Sequence, residues 1–161
     1  MGNAAFRLLC AALACAVLAA AGARADSLPE PHPLYARYAD PEAVVLAVTA
    51  GFAPPGGSVR LSVFDSEEAF LDRAAAKFEA IVGEDGVAVL SLANLAPGAY
   101  VFVAYYDANG DGRLNRGGML GRPKEPFAFS NGVRPKLLRP RFDEAKVEVD
   151  RGAVVVIELE D

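Results

Sequence analysis

The chain has 161 residues, 53% of them hydrophobic, and a formal charge of −5 at pH 7. That is one domain's worth of sequence with ample material for a core, and its acidic balance argues against nucleic acid or an anionic membrane surface as partner. With 1 histidine and 2 cysteines, little is left for Ser-His, Cys-His or thiolate-metal chemistry.

Arg7 precedes an apolar, alanine- and leucine-rich run from Leu8 to Ala21, and Ala23-Arg24-Ala25 then places small residues at both positions a signal peptidase reads. The pattern predicts a signal peptide over residues 1–25, cut before Asp26, and a periplasmic or secreted mature protein. The run is shorter than the ~20 residues of a spanning helix, which disfavours an uncleaved anchor. Lipoprotein processing at Cys15 would want leucine where Ala12 stands. Cys10 and Cys15 leave with the signal, so the mature chain has no disulfide, thiol nucleophile or thiolate ligand. Loss of Arg7 and Arg24 makes it more acidic still.

Residues 26–42 carry Pro29, Pro31, Pro33 and Pro41 among charges, the composition of a solvated, extended tether. It holds His32, the only histidine, and Tyr35 and Tyr38 as residues able to dock. Residues 43–161 form the predicted domain. Val44, Leu46 and Val48 alternate with their neighbours, as do Val59, Leu61 and Val63 beyond a Pro/Gly turn at Gly51–Gly57, which is strand periodicity. Over Asp65–Ala76, an Asp65/Glu68 pair resembling a capping box and the spacing of Phe70, Ala74 and Phe78 predict a short helix or, equally, one irregular loop, running into a strand at Lys77–Val82. Val87–Leu92 reads as another strand. A Pro97-Gly98 corner then leads into Tyr100–Tyr106, which is apolar on both faces and so expected to be a central strand. Ala145–Val149 and Ala153–Leu159 are expected to pair as a closing hairpin through Asp150-Arg151-Gly152. About seven short strands with one short helix and a long Gly-rich loop predict an all-β, antiparallel two-sheet sandwich of immunoglobulin-like or transthyretin-like type.

That loop, Asp107–Asn131, is where a site is expected. It opens with oxygen-bearing side chains at alternate positions around Gly112: Asp107, Asn109, Asp111 and Asn115, with the Arg113 carbonyl at the seventh position of a twelve-residue calcium scheme. Gly118 stands where that scheme needs a bidentate glutamate, so the ligand set is partial and any calcium site weak. The same residues equally build consecutive turns, each side chain bonding nearby backbone. Further on, Glu125, Phe129, Ser130 and Asn131 are candidate binding residues. Phe129 is expected to be buried, with Ser130 and Asn131 bonding loop backbone, so that this stretch clamps the loop to the sheet. Asp107, Asp111 and Glu125 could pair as hydrolytic carboxylates. A basic run, Arg134, Lys136, Arg139 and Arg141, reads as a solvated segment or a contact for an acidic partner.

At these residues the chain resembles a known family. V-F-D-S-E-E-A-F-L, then L-A-P-G-A-Y-V-F-V-A-Y-Y-D-A-N-G-D-G-R-L-N, G-R-P-K-E-P-F-A-F-S-N and R-F-D-E-A-K-V look like the bacterial domain-of-unknown-function family 2141. The likeness runs over roughly Ala43–Leu159, and its specific part is Gly121, Pro123, Glu125, Phe129, Ser130 and Asn131. The resemblance implies an exported protein and carries no reaction. Members commonly have histidine before the loop aspartate where this chain has Tyr106, which weakens metal or acid–base use of that position. The Leu95–Tyr100 corner also resembles transthyretin-like and carboxypeptidase-regulatory-like sandwiches, which implies a fold and not a hydrolase activity. The expectation from residues and resemblance together is an exported binding or structural module acting through the 107–131 loop on an envelope protein or small ligand, with calcium the one cofactor suggested; the alternative is a small hydrolase.

Overall fold

The computed structural model describes residues 32–118, 121–134 and 139–161. The predicted signal peptide, the start of the tether and Lys136 lie outside the described residues. In chain order the elements are Leu34–Tyr38 (α1), Val44–Thr49 (β1), Ser58–Phe64 (β2), Ala76–Ile81 (β3), Val87–Leu92 (β4), Gly98–Asp107 (β5), Arg116–Gly117 (β6), Arg122–Pro123 (β7), Phe127–Phe129 (β8), a 3₁₀ turn at Ser130–Gly132, Phe142–Ala145 (α2), Val147–Val149 (β9) and Val154–Glu158 (β10). The protein is an all-β sandwich with two small helices. One sheet has the order β10-β1-β4, and the other β3-β2-β5-β8 with β9 also on β5. β6 and β7 make a separate two-stranded hairpin.

Alternation along the strands builds the core. Val44, Leu46 and Val48 of β1 meet Val59, Leu61 and Val63 of β2 and Phe102 and Ala104 of β5 between the sheets. The opposite face of β5 is also buried. Val101 and Val103 pack with Phe64, Phe129, Phe142 and Ala145 in a second cluster, closed by Phe70, Leu71 and Ala74. β5 is therefore a central strand, paired with β2 along Val101–Asp107 and with β8 along Val103–Tyr105. Each fully buried residue of this kind contributes roughly 1.5–3 kcal/mol.

Four expectations change. Residues 65–75 are turns and not a helix, because Leu71 takes φ 65°, which a right-handed helix cannot contain. The apolar residues that mimic helical spacing there cap the second cluster: Phe70 sits edge-on to Phe64, Phe129 and Phe142 at 5.4, 6.2 and 5.7 Å.

The closing hairpin does not form. β9 pairs antiparallel with Gly98–Tyr100 of β5, and β10 crosses to the other sheet. Gly152 donates its N–H to the Ala43 carbonyl at 3.1 Å and has φ 82°, so the turn is anchored beside the start of β1. From there β10 runs parallel to β1, Val45 opposite Val154 through Thr49 opposite Glu158. The sandwich is thus antiparallel except for this pair. That placement turns Val155 and Ile157 into the inter-sheet core.

Finally, residues 32–42 are not simply a solvated tether. Leu34 is buried against Ala47 and Val87 on the outer face of the three-stranded sheet, and the Tyr38 hydroxyl donates to Asp85 Oδ2 at 2.7 Å. One leucine and one tyrosine are enough to dock α1.

Candidate functional site

β5 delivers the chain into the loop at Asp107, whose side chain is fully buried. Its Oδ1 accepts from the Asp111 N–H at 3.1 Å, and its Oδ2 from the Gly112 N–H at 2.9 Å and from Arg60 Nε at 3.1 Å. Gly112 stands at φ 73°, a left-handed conformation open to glycine at little cost, and this aims its N–H at the carboxylate. Arg60 comes from the neighbouring strand β2, and its NH1 reaches Glu79 on β3 at 3.1 Å. One guanidinium thus ties the loop aspartate to three adjacent strands. No local pattern points to Arg60; only the register, with Arg60 opposite Tyr105 and Glu79, brings it beside Asp107.

Glu125 is the second anchor. It is buried, and its Oε1 and Oε2 accept from the Ala108 and Asn115 N–H groups at 3.1 and 2.8 Å. The carboxylate therefore ties both ends of the 108–115 turn to the segment that leads into β8. Asp111, at the surface, receives the side-chain amides of Asn115 at 2.9 Å and Asn109 at 3.1 Å and the Arg113 N–H at 2.9 Å. These bonds, that from Asn115 foremost, hold its carboxyl below the ordinary value of 3.8. Tyr105, next to Asp107, is pushed above its ordinary value, first by burial and then by the Asp107 charge.

Of the predicted calcium ligands, Asp107, Asn109, Asp111 and Asn115 are brought together, but each carboxylate is engaged by donors of the protein itself. Asn109 and Asn115 present nitrogen, not oxygen, to the Asp111 carboxylate. Among the described residues, no group of three or more His, Cys, Asp or Glu is placed to hold a metal. The arrangement makes a run of turns and would accept a cation only by rotating both amides and releasing Arg60. As acid–base chemistry it is equally committed: both oxygens of Asp107 and of Glu125 bind backbone N–H groups, the geometry of a clamp.

Ser130 and Asn131 find partners other than those expected. Phe129 is buried in the second cluster. The Ser130 hydroxyl accepts from the Phe102 N–H at 3.0 Å and donates to the Ala145 carbonyl at 2.6 Å. Asn131 donates to the Glu144 carbonyl at 2.9 Å. Ser130 and Asn131 thus bond β5 and α2, not the loop backbone. Of the basic run, Arg134 pairs with Glu160 and Arg141 with Glu144. His32 lines a cleft of about 210 Å³ with Phe129, Val156 and Glu158, its Nε2 3.7 Å from Glu158.

Among the described residues no helix is long and apolar enough to cross a membrane. No curated protein matches the chain. A family model does match residues 48–157, from within β1 to within β10 and including the whole loop. The chain belongs to that family, described as uncharacterized proteins conserved in bacteria, DUF2141.

Proposed function

We propose that the protein is an exported component of the bacterial envelope that works as a binding or structural module, presenting the 108–118 turn and the β6–β7 hairpin as its contact surface. The observation that carries this reading is the burial of two carboxylates, Asp107 and Glu125, beneath an exposed loop whose backbone they fix. Holding ionised groups out of water is costly unless each is paired and hydrogen-bonded, and both are used here to give one surface loop a single conformation. A loop built only to connect strands needs no such anchors. A hydrolase would need at least one of these carboxylates directed at a substrate, and both serve the loop. Export rests on Arg7, the Leu8–Ala21 run and the Ala23-Arg24-Ala25 site.

The test has two parts. Intact mass of the protein recovered by osmotic shock should begin at Asp26; retention of Met1–Ala25 would remove the export half. Crosslinking in intact cells, with Glu125→Gln and an exposed Arg113→Glu beside the wild type, should lose its adducts in both variants. Unchanged adducts in both would show that the contact surface lies elsewhere.

A further inference from the structure

The chain is acidic as a whole, yet the hairpin that closes the loop is not. Arg116, Arg122 and Lys124 are exposed on or beside β6 and β7, and none forms an ion pair with a carboxylate among the described residues. The adjacent carboxylate, Glu125, faces away from them, buried on the Ala108 and Asn115 N–H groups. Register brings the cations together. Gly117 pairs with Arg122, the Lys124 N–H bonds the Asn115 carbonyl at 2.8 Å, and the Lys124 stem lies against Gly117, so Arg122 and Lys124 are brought to the same part of the hairpin. The Lys124 stem lies where a Cβ on Gly117 would be, so the lysine crosses the hairpin over the glycine. Arg116 starts on the other face and reaches round to the Gly121 carbonyl at 3.2 Å, which carries its charge to the same end.

We infer that this basic hairpin docks the protein on a phosphate-bearing lipid surface, a narrower form of the contact-surface reading above and resting on it. Hairpin strands this short cannot supply the ~800 Å² that a specific protein partner buries on each side. Anionic headgroups ask less: they rearrange laterally to meet fixed charges, and each cation near such a surface strengthens partition by roughly fivefold. The nearby exposed carboxylate, Asp111, is already engaged by the Asn115 and Asn109 amides and the Arg113 N–H, and at physiological salt charges more than about 8 Å away are largely screened. The whole-chain charge therefore misleads about one small, oriented patch.

The protein as purified from its host would be sedimented with phosphatidylglycerol–phosphatidylcholine vesicles, with pure phosphatidylcholine vesicles subtracting uptake that ignores headgroup charge. Binding should depend on the anionic lipid and fall steeply with salt. Arg122→Gln and Lys124→Gln should each weaken it about fivefold and together about twenty-five-fold, while Arg73→Gln, at an exposed cation elsewhere, should leave it unchanged. The proposal is overturned if anionic lipid adds no binding, if the double variant binds like the wild type, or if Arg73→Gln weakens it equally. It is also overturned if soluble glycerol phosphate shifts the hairpin amides as fully as vesicles do, since the partner would then be a free phosphate. Vesicle failure together with lost crosslinks in Arg113→Glu would reject the lipid and leave the contact-surface reading standing.

Discussion

Ser130 has no exposed surface, and its hydroxyl replaces a strand: where β8 ends, it takes the Phe102 N–H that the next ladder bond would have taken and hands its own proton to Ala145. Ser130→Ala would orphan a buried donor and a buried acceptor, each worth about 1–3 kcal/mol, so a midpoint loss of that order or twice it is expected in denaturant titration. An unchanged midpoint would mean that water replaces the hydroxyl. Beside it, Phe129→Ala opens a cavity among Phe70, Phe127 and Val103 and should cost about 3–5 kcal/mol. Glu125→Gln keeps the shape but replaces one accepting oxygen by a donor facing a donor, and roughly 1–3 kcal/mol should go. The three losses test different things: a ladder end, a core, and the loop anchor. Asp111 gives a pH signature instead. Its carboxyl lies below the ordinary 3.8, so its contribution is present above the unfolded value and disappears as pH falls through the lower folded one. The Asn115 side-chain amide should therefore titrate below about pH 4 in NMR; a midpoint at or above the ordinary aspartate value would deny the Asn115–Asp111 bond.

At the scale of elements, the loop is a self-contained turn system tied to β2, β5 and the residues before β8. It should fold without a cation, and melting temperature should be the same in chelator and in about 10 mM calcium, the regime of weak extracellular sites. A rise of several degrees that Asp111→Ala removes would instead show that the amides turn and a cation loads. How much of this was legible follows from the range of each interaction. Strand positions are written in local alternation, the central place of β5 in its being apolar on both faces, and the loop in its density of Asp, Asn and Gly. Glu125 stands out in the sequence, but its partners cannot be read there, because they are backbone N–H groups 10 and 17 residues away. Arg60 could not be found, since its role depends on register. The false helix at 65–76 and the false hairpin at 145–159 share one cause: spacing says that Phe70, Val155 and Ile157 are buried but not against what. In both places a single left-handed residue, Leu71 or Gly152, redirects the chain.

For the whole molecule, the decisive feature is that its apolar clusters are joined through two strands. β5 gives Phe102 and Ala104 to the inter-sheet core and Val101 and Val103 to the cluster outside it. β1 gives Leu46 and Val48 to the first and Ala47 to the cluster beneath α1. Neither strand can lose its partners on one face without loosening the other, so the described domain should unfold as one cooperative unit. In native-state hydrogen exchange the amides of Val45–Val48 and Val101–Ala104 should be the slowest and should open with the global unfolding free energy. Among the described residues the β6–β7 hairpin shares no apolar cluster with them, and its amides should exchange through smaller openings. Phe102→Ala, at a side chain with no exposure, should cost about 3–5 kcal/mol and accelerate the β1 and β5 amides equally, because both report the same global event. If β5 amides speed up while β1 amides keep their wild-type rates, the two sheets open separately, and the sandwich is two units sharing a core and not one.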